Sequence, residues 1–252
     1  MLSIDLNCDL GESFGAYTIG NDEAILDVIT SANIACGYHA GDPHVMHETV
    51  KLAIEKGIGI GAHPSFPDLN GFGRRMMDLK PSEIYEITLY QIGALQAFVH
   101  AEGGTLQHVK PHGALYNIAE KDAERADAIA KAIHDFDSKL ILFAPYQSAL
   151  LKAGKKYTLR VAAEVFADRT YQPDGTLTPR KQKNAVITDI TASIQQVKMM
   201  MTDQQVRSAD GHYIPIEADT VCVHGDNAHA LALAKQLRTE LTSAGIRIRN
   251  LG

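Results

Sequence analysis

The chain has 252 residues, of which 45% are hydrophobic, and carries a formal net charge of -6 at pH 7. This length and composition allow a substantial core, in one large α/β domain or two small ones. The sequence contains no run of basic residues, which argues against a nucleic-acid partner because phosphate binding needs clustered Lys and Arg. It also lacks a long apolar segment and a secretory signal, so we expect no membrane partner and a cytoplasmic location.

Short apolar runs that are typical of strands recur along the chain, each followed by a polar corner and then by a helical pattern. This alternation is typical of βαβ units around a parallel sheet. The predicted strands are Leu2–Leu6, Ala32–Ala35, Gly57–Ala62, Leu106–Val109, Leu140–Ala144, Val161–Phe166 and Thr220–His224, with an eighth candidate at Ile246–Ile248.

Apolar residues recur at three- and four-residue steps between these runs, which predicts amphipathic helices. The stripes run from Tyr85 to Val99, from Ala126 to Phe136, from Ile187 to Met201 and from Ala230 to Leu241. No dinucleotide glycine motif and no linker interrupts the pattern. We therefore predict one α/β domain over residues 1–252, an irregular (β/α) barrel of seven to eight strands, rather than an open doubly wound sheet.

Ionisable residues follow most of the predicted strands, and in a parallel barrel the carboxyl ends of the strands share one face where active sites form. Six of the seven strand ends bring such a group to this rim. The candidates are Asn7, Asp9, Glu12, His39, His63, Lys110, His112, Glu164, Arg169 and His224. His39 stands out because Gly37 and Gly41 flank it, which allows a ligand to approach the backbone closely.

Several neighbouring residues have simpler interpretations. Asp42 before Pro43 fits a helix N-cap, and His44 then lies on the helix surface. His108 lies within a strand and fits a hydrogen-bonded core histidine. The free cysteines are predicted to be buried thiols, with a catalytic Cys36 as the alternative. Lys110 is either a point charge in the site or a surface residue, and on the first interpretation Lys110→Met leaves thermal stability nearly unchanged.

The chemistry of the rim has two open interpretations. Asp5, Asp9, Glu12, His39 and His63 could hold a divalent metal, because carboxylates and imidazoles suit zinc or manganese. The same groups could act without a metal as general acid and base, with Lys110 or Arg169 stabilising an oxyanion.

Two long loops carry further candidates. The loop at residues 64–75 ends in Arg74 and Arg75, which could grip a carboxylate or phosphate. The loop from Asp168 to Arg180 is predicted to be a flap with a turn at Asp174-Gly175. The sequence contains no phosphate-binding loop that would predict a nucleotide site in this chain.

Six motifs in register resemble those of the LamB/YcsF family, which comprises the A subunits of bacterial ATP-dependent 5-oxoprolinase. The motifs are Asp5-Leu-Asn-Cys-Asp-Leu-Gly-Glu12, Ala32-Asn-Ile-Ala-Cys-Gly-Tyr-His-Ala-Gly-Asp-Pro43, Gly61-Ala-His-Pro-Ser-Phe-Pro-Asp68 with Gly71-Phe-Gly-Arg-Arg75, Val109-Lys-Pro-His-Gly-Ala-Leu-Tyr-Asn117, Glu164-Val-Phe-Ala-Asp-Arg169 and Val223-His-Gly-Asp226. The resemblance implies a barrel akin to those of glycoside hydrolases and polysaccharide deacetylases. It also implies cleavage of the lactam of 5-oxo-L-proline to L-glutamate, driven by ATP with Mg²⁺, and partner subunits B and C.

On this hypothesis the site residues divide into three sets. The expected catalytic residues are Asp9, His39, His63, Lys110, His112 and His224. The expected substrate-binding residues are Asn7, Glu12, Arg74, Glu164 and Arg169, and a metal, if required, would use Asp9, His39 and His63. The alternatives are a stand-alone metal-dependent deacetylase acting on an N-acyl substrate, argued from fold analogy, and a non-catalytic scaffold chain.

Overall fold

The computed structural model describes residues 2–223 and 230–252. The strands, in chain order, are β1 Ser3–Leu10, β2 Ser31–Ala35, β3 Gly59–His63, β4 Leu106–Val109, β5 Ile141–Pro145, β6 Arg160–Phe166, β7 Gln205–Arg207, β8 Tyr213–Pro215, β9 Thr220–Val223 and β10 Arg247–Ile248. Strands β1 to β6 and β9 are parallel, and they close into a seven-stranded barrel because β9 pairs with both β6 and β1. This closure confirms the predicted barrel.

Helices follow the barrel strands and pack their apolar faces on the outside of the barrel. They are α1 Asp22–Leu26, α2 Pro43–Glu55, α3 Pro81–Ala101, α4 Gly113–Ala119, α5 Ala123–Phe136, α6 Ala149–Lys156, α7 Ile190–Thr202 and α8 Ala230–Ser243. The four predicted stripes lie on α3, α5, α7 and α8, although Ile187 precedes the start of α7. Within the described ranges, none of these helices combines the length and apolarity needed to cross a bilayer.

Two elements in the carboxyl-terminal part of the chain lie outside the wall of the barrel. Strand β10 pairs in parallel with the start of β1, through Ser3 and Ile4, and corresponds to the eighth candidate strand. Strands β7 and β8 form an antiparallel hairpin that the apolar pattern did not predict, because each is only three residues long.

Strand β1 shows how the barrel interior differs from an apolar core. Side chains alternate along a strand, so Leu6 and Cys8 join the apolar layer under the helices while Asp5, Asn7 and Asp9 face the barrel axis. The strand therefore continues four residues beyond its predicted end at Leu6. Its polar positions remain in the strand because each finds a hydrogen-bond partner inside the barrel.

The structure confirms the predicted N-cap of α2 and the predicted burial of the cysteine thiols. Asp42 caps α2 by accepting from the backbone N–H of Val45 at 2.9 Å, with Pro43 in the first turn. All three cysteines are free and buried. Burial raises the pKa of the Cys36 thiol to about 12, which disfavours the alternative of a catalytic thiolate.

Candidate functional site

Lys110 lies at the centre of an ion-pair network at the carboxyl ends of the strands. Its Nζ is 2.9 Å from Asp9 Oδ1 on β1 and 2.8 Å from Glu164 Oε1 on β6. The ammonium also donates to Asn7 Oδ1 at 3.2 Å and to Cys222 Sγ at 3.1 Å. Lys110 therefore connects three strands of the barrel through charge-assisted hydrogen bonds.

The environment of Lys110 rules out a surface position, since the residue is only 3% exposed. Burial by itself opposes the charged form, but the carboxylates of Asp9 and Glu164 outweigh it and raise the pKa of Lys110 well above its usual value. The surface alternative was therefore wrong. The buried ion pairs lead us to expect that Lys110→Met lowers the stability, in place of the earlier expectation of a nearly unchanged one. The ammonium group of Lys110 donates hydrogen bonds to these neighbours. Its first role is therefore to fix their positions and to neutralise part of the carboxylate charge.

A layer of amides below Lys110 fixes the orientation of Asp9. The side-chain amide of Asn33 donates to Asp9 Oδ1 at 2.9 Å and to Asn7 Oδ1 at 2.8 Å, and its own oxygen lies 2.8 Å from His108 Nε2. Burial lowers the pKa of His108 to about 3, so the ring is neutral and donates. This confirms the interpretation of His108 as a hydrogen-bonded core histidine.

A second group beside this network contains Glu12, His39, His63 and His112, which are all buried. One donor atom from each lies within 4.8 Å of the others. The rings of His39 and His112 are stacked with centroids 3.8 Å apart. The two groups meet where His63 Nε2 lies 3.4 Å from Asp9 Oδ2, so the strand ends form one continuous acid–base site.

Backbone carbonyls orient two of the histidines. His63 Nδ1 lies 2.6 Å from the carbonyl oxygen of Lys110, and His112 Nε2 lies 3.0 Å from that of Phe72. Because a carbonyl only accepts, both nitrogens carry hydrogen. Burial and the neighbouring histidines lower the pKa of His39 and of His112 well below the usual value, so both imidazoles are neutral and each keeps a lone pair that could bind a metal.

Glycine lets the backbone form one wall of the histidine cluster. Gly73 has φ of +62°, and a Cβ there would lie 2.8 Å from His39 Cβ and 2.9 Å from His112 Cδ2. A side chain at this position would therefore displace both rings. Gly73 of the Gly71-Phe-Gly-Arg-Arg75 motif thus has a packing role in the site.

The cations of the two long loops are held in different ways. Arg169 is 6% exposed, and its guanidinium donates to the carbonyl oxygens of Ala185 and Thr178, at 3.2 and 2.6 Å. Arg169 thus fixes the flap, where Gln172 N donates to Thr176 O across the predicted turn. Arg74 is exposed at the rim with its guanidinium over the Phe72 ring, whereas Arg75 pairs with Asp68.

A cavity of about 130 Å³ lies beneath the flap and reaches Glu164. Its walls include Phe166, Tyr171 and Leu177, together with the carboxyl group of Glu120. Burial raises the pKa of Glu120 to about 7. The cavity has the size for a ligand well below drug size, and it lies directly beside the Lys110 network.

The structure brings together most of the residues predicted from the sequence. Asn7, Asp9, Lys110 and Glu164 form the ion-pair network, and Glu12, His39, His63 and His112 form the histidine cluster. Asp9 lies beside that cluster and not among its four members. His224 lies outside the described residues. The catalytic and substrate-binding roles themselves stay predictions.

The sequence did not predict three residues that contact the Lys110 network, namely Asn33, Tyr116 and Cys222. Tyr116 donates to Glu164 Oε2 at 2.6 Å, and Cys222 contacts Lys110. The only signal for Asn33 is a polar residue within the buried strand β2, opposite Asp9 in the strand pairing. A pairing register was needed to interpret that signal.

A closed parallel barrel whose strand ends collect carboxylates, histidines and a buried lysine defines a (β/α)-barrel protein with an acid–base site. The chain belongs to the LamB/YcsF family, whose model matches residues 4–252. It is 59% identical over 249 residues to the A subunit of 5-oxoprolinase from Geobacillus kaustophilus, covering 99% of this chain and 97% of that protein.

Solved structures agree with the assignment. The lactam utilization protein of Thermus thermophilus superimposes with a TM-score of 0.93 at 44% identity, over 98% of this chain and 99% of that one. A family 4 carbohydrate esterase from Streptomyces lividans gives a TM-score of 0.50 at 14% identity, over 99% and 93% of the two chains. The second likeness concerns the fold alone, and it agrees with the predicted similarity to deacetylase barrels.

Proposed function

We propose that this chain is the A subunit of an ATP-dependent 5-oxoprolinase, which opens the lactam of 5-oxo-L-proline to give L-glutamate. The observation that carries the proposal is the full-length match, at 59% identity, to a relative named as the A subunit of 5-oxoprolinase. The word subunit in that name supports an assembly with other chains, which we take to be subunits B and C. ATP with Mg²⁺ would then serve the assembly rather than this barrel alone, since the sequence offers no phosphate-binding loop.

The chemistry of lactam opening sets three tasks. The amide carbonyl is a poor electrophile, and phosphorylation of its oxygen by ATP makes it more reactive. Water then adds to the carbonyl carbon while a base removes a proton, and the C–N bond breaks once the ring nitrogen has accepted a proton. General acid–base groups near neutrality perform these two tasks. The acyl phosphate of glutamate that results loses inorganic phosphate to a second water.

Asp9 and the histidines are arranged for the proton transfers. Lys110 and Asn33 bind Asp9 Oδ1, while Oδ2 is directed towards His63 at 3.4 Å. A carboxylate fixed in this way can accept a proton from water that binds beside the two groups. The carboxyl group of Asp9, once protonated, can return this proton to the leaving ring nitrogen. His112 is neutral and its Nε2 hydrogen is held by the carbonyl oxygen of Phe72, so we do not assign it as the donor.

Reconstitution tests the proposal. The purified chain is combined with candidate B and C subunits from the same source, and glutamate and phosphate release are measured with 5-oxo-L-proline, with and without ATP. We expect glutamate only when all chains and ATP are present. Full turnover by this chain alone, or turnover without ATP, would contradict the proposal that turnover requires ATP and the partner subunits.

The stand-alone deacetylase remains the second candidate in the same experiment. The fold likeness to a carbohydrate esterase is its only support, and at 14% identity this concerns architecture and not activity. Release of acetate from N-acetylated sugars by the isolated chain, with no glutamate from any reconstituted mixture, would favour that alternative.

A further inference from the structure

His63 and His112 face each other through atoms that cannot bond to one another when both rings are neutral. The carbonyl oxygens of Lys110 and Phe72 take the N–H groups at His63 Nδ1 and His112 Nε2. A neutral imidazole has one N–H, so the facing atoms, His63 Nε2 and His112 Nδ1, both carry lone pairs. These atoms are 2.9 Å apart, and a contact of two lone pairs at that distance requires a cation.

His39 supplies an independent observation at the same place. The ring is fully buried, and neither of its nitrogens has a hydrogen bond within the described residues. A buried polar group left unsatisfied costs about 1–3 kcal/mol. Glu12 Oε1 lies 3.4 Å from His39 Nε2 and 3.9 Å from His112 Nδ1.

We propose that Glu12, His39, His63 and His112 form a binding site for one divalent transition-metal ion. Bonds of about 2.1 Å in a tetrahedral arrangement place ligand atoms roughly 3.4 Å apart. The separations among the four groups, from 2.9 Å to at most 4.8 Å, bracket this value. Backbone carbonyls already orient two of the imidazoles, as is usual for metal-binding histidines.

The donor set also selects the kind of ion. Three imidazoles and one carboxylate suit Zn²⁺, Co²⁺, Mn²⁺ or Fe²⁺, whereas Mg²⁺ prefers oxygen ligands and retains water. The ion is therefore distinct from the Mg²⁺ that accompanies ATP. Such an ion supplies Lewis-acid activation of water or of a carbonyl oxygen. That use depends on the proposed function, whereas metal binding does not.

Asp9 stays outside the proposed ligand set because the four donor atoms that lie within 4.8 Å of one another come from Glu12, His39, His63 and His112. Its Oδ1 accepts from Lys110 and Asn33, both at 2.9 Å. Its Oδ2 faces His63 at 3.4 Å, next to the ion and suited to accept a proton from a bound water. The predicted triad of Asp9, His39 and His63 is thereby revised to Glu12 and three histidines.

Cobalt binding tests the site without any turnover assay. The full chain is stripped with a chelator, dialysed and titrated with Co²⁺, while visible d–d absorption and bound metal are measured. We expect saturation at about one ion per chain. His39→Gln should weaken Co²⁺ binding by at least ~100-fold, the upper range for loss of a supporting partner, whereas the exposed His44→Gln should bind like wild type. A hundredfold excess of Mg²⁺ should not displace Co²⁺.

The outcomes separate this inference from the proposed function. Absence of saturable Co²⁺ binding to the wild-type chain would overturn the metal site, and a proton shared by His63 and His112 would then explain their contact. Equal affinities of the wild type and a folded His39→Gln variant, confirmed by circular dichroism, would overturn it too. Should His39→Gln fail to fold, His112→Gln takes its place. Cobalt binding with no reconstituted glutamate release would instead contradict the function and leave the site standing.

Discussion

Replacing Lys110 by methionine should lower both the stability of the barrel and the turnover of the reconstituted enzyme. The variant keeps much of the side-chain volume but leaves the Asp9 and Glu164 carboxylates, which bound Nζ at 2.9 and 2.8 Å, without their cation. Loss of one partner of a buried ion pair costs about 3–5 kcal/mol. For a chain of 252 residues, this corresponds to a decrease in Tm of roughly 6–20 °C.

A second substitution separates the structural from the chemical effect. Lys110→Met combined with Glu164→Gln leaves a single negative charge on Asp9, which is the net formal charge of the three wild-type positions. Thermal unfolding at pH 7, followed by circular dichroism, should show that the double variant regains at least half of the lost Tm. Reconstituted turnover should stay at least ~100-fold below wild type in both variants, as for loss of one preorganised electrostatic group.

Two results would refute this reasoning. A single Lys110→Met variant that unfolds within about 2 °C of wild type would mean that the ammonium does not balance two buried carboxylates. Glutamate release within about threefold of wild type would remove Lys110 from the site, whatever the effect on stability.

Further substitutions test other parts of the barrel. His39→Ala should abolish reconstituted turnover at little cost in Tm, while His134→Ala on α5, away from the strand ends, should keep both; equal activity losses would contradict the site. The pKa of Glu120 is raised by burial from 4.5 to about 7. Its contribution to the stability of the folded chain is therefore fully present below pH 4.5 and is lost as the pH rises to about 7. Glu120→Gln should therefore gain about 1–2 kcal/mol on wild type between about pH 5 and pH 8 in urea unfolding, allowing for solvent screening; a constant difference would disprove the shift. Gly61→Ala, whose Cβ would lie 2.0 Å from His108 Nε2, should lower Tm measurably, and an unchanged Tm would show that the His108 ring is free to move.

The barrel could be predicted from the sequence because its outer face follows simple periodic rules. Apolar runs marked the strands, helical stripes marked α3, α5, α7 and α8, and β4 matched its predicted bounds at Leu106–Val109. The clustering of the histidines followed from one topological rule, that parallel strands deliver their carboxyl ends to one face. Local pattern was sufficient wherever a residue's role depended on its own strand or helix.

The interior of the barrel could not be predicted in this way. Asn7 and Asp9 look like loop residues in sequence, and only partners on other strands, Asn33 and Lys110, show why they continue β1. The sequence leaves open whether Lys110 lies in the site or on the surface for the same reason, since its two carboxylates are 101 positions before it and 54 after it in the chain. Polar pairs across a closed barrel leave no periodic signal in a single sequence.

Several cations around the barrel mouth are already bound by other groups of the protein, and this limits how far they can balance the charge of the reactants. Lys110 is balanced by two carboxylates, Arg169 is bound to the carbonyl oxygens of Thr178 and Ala185, and Arg75 is paired with Asp68. Opening of 5-oxo-L-proline involves an anionic substrate, and its phosphorylated form carries still more negative charge. In the described part of the chain, Arg74 is the motif cation at the open rim, next to the histidine cluster. On the proposed function, we therefore expect the positive charge that a phosphorylated lactam needs to come largely from the Mg²⁺ of ATP and from the partner chains.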